Sequence, residues 1–357
     1  MAITGSVAMG VKRKVSEPRH STFSRGRRRA TGDGRRATGD GQRATGDGQR
    51  ATAISLAPVI SDPLWPRADG WLAGAAADPD LVVVGVPTSS ASLTASQAWR
   101  APGAVRSALS GFSTFDGETG ADLSEVAVAD LGDWPVDGLD MHVMPAEVER
   151  LFRDLPAGPC RVFFGGDNAI TRPLVRSMGD LADAGVLTID AHHDVRTTEN
   201  GPTNGSPIRG LIEDGLPDGR VIQIGIQSFA NSSGYRAYCE AHGIEVVTMA
   251  TVDEVGVGWV VTTALNDLAR RCSRIHVDVD FDVLDVAFAP GCPGARPGGM
   301  NPRQLAAACR AAGAHGAVRS VDFVEVDPVR DRDGITVMNM ATAFLAFVSG
   351  MAGRMGS

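Results

Sequence analysis

Residues 185–194 read Gly-Val-Leu-Thr-Ile-Asp-Ala-His-His-Asp, a run of small and branched residues that passes straight into ionisable side chains. Short runs of this kind between helical patterns predict buried strands of a parallel sheet. The form recurs at 161–168, Arg-Val-Phe-Phe-Gly-Gly-Asp-Asn, and at 274–282, Arg-Ile-His-Val-Asp-Val-Asp-Phe-Asp. In open α/β sheets, ligands collect at the carboxyl ends of the strands. Carboxylates gathered there are expensive to bury unless paired, hydrogen-bonded or holding a cation. Three acidic clusters on one sheet edge would repel one another without added positive charge. The pattern points to a hydrolase that uses divalent metal ions.

Outward from these three stretches, strands are expected near 81–86, 126–131, 162–164, 186–190, 221–226, 245–248, 275–280 and 320–326. Helical patterns fall between them, for example at 145–154 and 301–312, and an apolar helix at 337–348 closes one face. Alternation of this kind predicts a three-layer α/β/α domain with a mostly parallel central sheet, spanning residues 63–350.

The charge is unevenly spread along the 357 residues. Residues 1–52 hold twelve Lys/Arg and four Asp/Glu, a balance of +8, whereas the remainder holds 22 and 38, a balance of −16. An acidic body argues against nucleic-acid binding through a surface field. Near-identical heptads, Arg-Ala-Thr-Gly-Asp-Gly-Arg/Gln, repeat over 29–49. With no apolar anchor they are expected to form a disordered basic tail. Lysine occurs only at Lys12 and Lys14, which excludes a Schiff base or P-loop lysine in the body. The five cysteines are scattered and never spaced C-x-x-C, which fits a reducing, cytoplasmic setting. No apolar run is read as reaching the ~20 residues of a membrane span.

Asp190, His192 and Asp194 are spaced by two, as are Asp278, Asp280 and Asp282. On an extended strand end each trio would share one face, with His193 turned away. Mixed carboxylate and imidazole donors suit manganese or a similar first-row ion. Two such ions ~3.5–4 Å apart can activate a shared water at neutral pH.

These motifs resemble those of the ureohydrolase superfamily of arginases, agmatinases and formimidoylglutamases. Its GGDH, DAHxD and DxDxLDxxxAPG motifs stand here as GGDN (165–168), DAHHD (190–194) and DFDVLDVAFAPG (280–291). The resemblance implies an arginase-like fold, commonly a homo-oligomer, with two manganese ions held by Asp190, His192, Asp194, Asp280 and Asp282. It places Asp278 outside the ligand set. The family's histidine in the first motif is Asn168 here, a weaker donor, so one metal site is expected to be weak. The HGxP segment, which carries a proton-shuttling histidine in arginases, reads Asn204-Gly-Ser-Pro207, which argues against arginase activity. The stretches at 194–196, 205–210, 225–235 and 289–300 resemble formimidoylglutamase most. Hydrolysis of N-formimidoyl-L-glutamate is therefore expected. Asp194 would orient the nucleophile and Glu325 the amidinium nitrogens. Arg196, Arg209 and Asn204 would meet the rest of the substrate, whose carboxylates match the fork of an arginine. A guanidino-acid hydrolase, or a non-catalytic descendant that binds a metabolite, remain alternatives.

Overall fold

The computed structural model describes residues 62–355, so the expectation for the heptad repeats lies outside the described residues. Eight strands form one sheet: β1 Leu81–Val86, β2 Val128–Asp133, β3 Cys160–Gly165, β4 Ala184–Ile189, β5 Val221–Ile226, β6 Glu245–Thr248, β7 Arg274–Asp280 and β8 Val318–Val324. Their order is β2-β1-β3-β8-β7-β4-β5-β6, and every pairing is parallel. Among the described residues, ten α-helices cover both faces: α1 Ala68–Leu72, α2 Ala101–Ala108, α3 Met144–Phe152, α4 Thr171–Ser177, α5 Pro207–Glu213, α6 Ser233–Ala241, α7 Met249–Val255, α8 Val257–Ala269, α9 Pro302–Ala314 and α10 Ile335–Met355. This is the expected three-layer architecture, with a sheet that is wholly rather than mostly parallel.

Strand periodicity sorts the core into its two layers. Leu187, Ile189, Phe164 and Phe323 face one side, where they join residues of α1, α2 and α7–α10. Phe163 and Val324 face the other, against α3 and α4, while Val186 and Val221 meet α5 and α6. Strands buried on both faces read as continuous apolar runs, which is why the sequence pattern located the inner six; the edge strands β2 and β6 are partly exposed. Their ends move by about two residues. β2 begins at Val128 because Asp122 caps a short 3₁₀ turn over Leu123–Glu125 that consumes the residues before it.

The last helix corrects the sequence reading of length. α10 runs for 21 residues and is long and apolar enough to cross a membrane, yet most of it is buried in the domain. Phe344 meets the rings of Phe164 and Phe323 edge-on, at 5.0 and 6.5 Å. A helix that is hydrophobic all round fits a core position equally well.

β3 and β4 follow one another in the chain, yet β8 and β7 lie between them in the sheet. The chain builds outward to β6 and then returns to fill the centre. This change of direction opens a crevice at the carboxyl ends of the four central strands.

Candidate metal centre

Register aligns the motifs. Ile189 of β4 pairs with Val279 of β7, which sets Asp190 level with Asp280, and Asp280 pairs with Val324 of β8, just before Glu325. The Glu325 N–H donates to the carbonyl of Gly166 at 2.8 Å, so the first motif reaches the same level. Gly166 is required there, since a Cβ would lie 1.7 Å from the Thr88 carbonyl oxygen.

Two groups of donor atoms result, each within 4.8 Å: Asp190, His192 and Asp282, and Asp190, Asp194 and Asp280. All five ligands read from the sequence are present, and Asp190 is shared. Asp280 groups with Asp190 and Asp194. The route to convergence differs from strand alternation. β4 ends at Ile189, and Asp194 turns back through a left-handed backbone, φ 52°. Asp282 is brought round by a 3₁₀ turn in which its own N–H donates to Asp280 Oδ1 at 2.8 Å. Gly294 makes room for it, because a Cβ there would stand 2.3 Å from Asp282 Oδ2. His193 does turn away, its Nδ1 meeting Gln223 Oε1 at 2.7 Å. Asp278 is fully buried, belongs to neither group, and neither of its oxygens has a hydrogen-bond partner.

Electrostatics shows what the centre lacks. Burial first, and then neighbouring carboxylates, hold Asp190, Asp194 and Asp280 well above the ordinary carboxylate range. Asp282 goes the other way: burial pushes it up, but the His192 imidazole 2.6 Å away outweighs it. The same carboxylate raises His192 to about 9. Positive charge is therefore favoured among these carboxylates. Buried oxygen donors around one imidazole are a set that divalent first-row ions satisfy, so the residues fit a pair of metal ions.

Asn168 sits beside this centre in an orientation the sequence could not show. Its Nδ2 donates to Asp194 Oδ2 at 2.6 Å, while Oδ1 accepts from Thr171 Oγ1 at 2.7 Å. As placed it is a donor to a carboxylate and presents no oxygen to the centre. The Thr171 hydroxyl has one proton and a second acceptor, Asp322 Oδ2 at 2.9 Å. Turning the amide over would aim Oδ1 at the centre and let Nδ2 donate to Thr171.

Glu325 also has a left-handed backbone, φ 68°. Its Oε1 accepts from the Asn168 N–H at 2.8 Å and from Asn204 Nδ2 at 2.9 Å, and among the described residues Oε2 accepts no hydrogen bond. Burial, followed by the charge of Asp167, raises it to about 7. Asn204 Oδ1 accepts from the Leu93 N–H. Asn204 thus braces Glu325 and also lines the cleft, with a second Nδ2 proton left for a ligand.

A cleft of about 160 Å³ opens over the centre, lined by His192, Asp194, Asp280, Asp282, Glu325, Asn204 and Arg196. Arg209 is absent from it, contrary to expectation. It lies one turn along α5, pairs with Glu213 at 2.8 Å and stacks near Tyr238. The i,i+4 spacing of the two residues was legible and favours this local pair. Sequence reasoning missed Arg296, Tyr235 and Asn231, which line the cleft. Arg296 stands in the Gly/Pro-rich loop after the third acidic motif, and that setting was the available signal.

Comparison with known proteins agrees with this geometry. The chain is 37% identical over 274 residues to formimidoylglutamase from Halalkalibacterium halodurans, covering 75% of this chain and 86% of that protein. It is 35% identical over 225 residues to guanidinopropionase from Pseudomonas aeruginosa, covering 61% and 69%. The crystal structure of formimidoylglutamase from Bacillus subtilis superposes with a TM-score of 0.76 at 30% identity, over 84% of this chain and 96% of that one. The model of the arginase family matches residues 79–349, a span that holds the eight described strands and the five residues of the two donor groups. With sheet order, motif positions and donor groups in agreement, this chain belongs to the arginase family.

Proposed function

We propose that this protein hydrolyses the amidine C–N bond of N-formimidoyl-L-glutamate, yielding L-glutamate and formamide, with two manganese ions in the candidate centre. The observation that carries the reading is the composition of one cleft. A carboxylate set for metal ions lies beside a buried glutamate with a free oxygen and an arginine with no carboxylate partner. The likeness to formimidoylglutamases supports it. Bound in the centre, the two ions supply a water ionised at neutral pH and polarise the reacting group.

The chain's own residues do the rest. Asp190 joins the two donor groups, and Asp194 would accept a hydrogen bond from the attacking water and hold it in line. Asn168 Nδ2 steadies the Asp194 carboxylate from behind. Glu325, aligned through Oε1 by two donors, offers Oε2 to the amidinium N–H groups and orients the carbon for attack. Arg196, exposed on the loop after Asp194, takes a substrate carboxylate.

A guanidino-acid substrate would use the same Glu325 contact and release urea, a reading favoured by the likeness to guanidinopropionase. Turnover of the manganese-loaded protein on formimidoylglutamate, guanidinopropionate, guanidinobutyrate, agmatine and arginine separates the two. Formamide release from the first at a kcat/KM at least about tenfold above the others is expected. Preferred urea release from a guanidino acid would overturn the proposal.

A further inference from the structure

We propose that Arg296 is a substrate-binding residue, and that with Arg196 it forms a two-point clamp for a dicarboxylate, one guanidinium to each acid group. The inference rests on the amidine-hydrolase reading above and names what the far end of the cleft recognises. Both arginines line the cleft that holds Asp194 and Glu325. They stand on separate walls, Arg196 on the loop that follows the second motif and Arg296 on the loop that follows the third. Arg196 lies over Gly205, where a Cβ would come within 2.6 Å of its Cδ, so the glycine admits the side chain. Arg296 is held by its own loop: Nη1 donates to the carbonyls of Gly294 at 2.9 Å and Ala295 at 3.0 Å, with Pro293 at 3.4 Å. This fixes the guanidinium plane and leaves Nε and Nη2 free to donate.

Among the described residues neither arginine has an ion-pair partner, whereas Arg172 and Arg209 on neighbouring elements pair with Asp214 and Glu213. The acids in the cleft are already committed. Asp194, Asp280 and Asp282 serve the metal donor groups and Glu325 faces the amidine position. Two unmatched cations in one small cleft therefore call for two anionic groups on the ligand. A monocarboxylate such as a simple guanidino acid would leave one guanidinium unmatched, and agmatine, which has no carboxylate, would leave both.

The test compares manganese-loaded wild type with Arg296→Met and Arg296→Lys on three substrates. These are N-formimidoyl-L-glutamate, N-formimidoyl-4-aminobutyrate, which lacks the α-carboxylate, and N-formimidoyl-L-2-aminobutyrate, which lacks the side-chain carboxylate. The Met variant should raise KM for the diacid about 30-fold, with kcat within about threefold, as expected for loss of one partly exposed charged contact. It should raise KM similarly for one monoacid and leave the other unchanged, which identifies the carboxylate Arg296 holds. Arg296→Lys should recover part of the loss. Inhibition by glutarate, a diacid without an amidine, should weaken by the same factor and so reads recognition apart from chemistry. An unchanged KM and glutarate inhibition, or an equal loss on all three substrates from a distorted 293–295 turn, would refute the clamp. If wild type fails to turn over formimidoylglutamate, the proposed activity falls instead; glutarate competition against whichever substrate is accepted then still decides the clamp.

Discussion

Glu325→Gln in the metal-free protein isolates the energetic consequence of burying this carboxylate at the cleft floor. Glu325 is 5% exposed, and burial followed by the charge of Asp167 lifts it from 4.5 to about 7. A folded-state value above the unfolded one makes ionisation unfavourable to folding. The cost is absent below about pH 4.5, grows between 4.5 and 7, and is complete above 7. For a displacement of this size it amounts to about 3 kcal/mol. Glutamine keeps the shape and can accept from the Asn168 N–H and Asn204 Nδ2, but it does not ionise. Urea unfolding with EDTA present, at pH 4.5 and pH 8, should therefore show wild type losing about 3 kcal/mol more than the variant. The double difference also contains the relief of Asp194 and Asp280, which the Glu325 charge helps to push up. Manganese should shrink the gap, because nearby cations favour the ionised form. Turnover of the loaded variant should fall at least about a hundredfold, since a neutral amide cannot complement the amidinium charge. Equal pH-dependent losses in the two proteins would refute the account of Glu325 as a strained, ionisable buried group.

Asp190→Ala removes the one carboxylate common to both donor groups; bound manganese should drop below about half an ion per chain by mass spectrometry of the desalted protein, and metal-induced thermal stabilisation should vanish. Asn168→His replaces a donor amide with imidazole, so half-maximal activation should need several-fold less manganese at an unchanged maximal rate; identical activation curves and stoichiometry would place position 168 outside the metal's reach. Arg209→Ala should leave KM within about twofold because Glu213 already occupies this guanidinium, whereas Arg196→Met should raise KM at least about tenfold; steady-state kinetics of both variants checks the assignment.

The local sequence was enough for the strands, the layers and the five residues that meet in the two donor groups. The inner strands are buried on both faces, so their apolar runs are nearly unbroken, while the edge strands β2 and β6 are partly exposed, and the acidic groups stand at or just beyond the strand ends. The arginase-family motifs added their assignment of Asp278 outside the ligand set, although they sit in the same run as Asp280. Where chain direction reverses or distant loops meet, the code is no longer local. Asp194 and Asp282 reach the centre through a left-handed residue and a 3₁₀ turn, not through the alternation their spacing suggested. Asn168 could be read as a ligand, but which of its ends faces the centre depends on Thr171 and Asp322, the latter 154 positions away. The arginines show the division most plainly. Arg196 and Arg209 looked equivalent in sequence, yet helix α5 gives Arg209 an acid one turn on and leaves Arg196 open to the cleft. Arg296 comes to the same cleft from 100 residues further along, because β4 and β7 are neighbours and their following loops share one rim. A side chain's chemistry is written locally, whereas its partner is chosen by the packing of strands far apart in the chain.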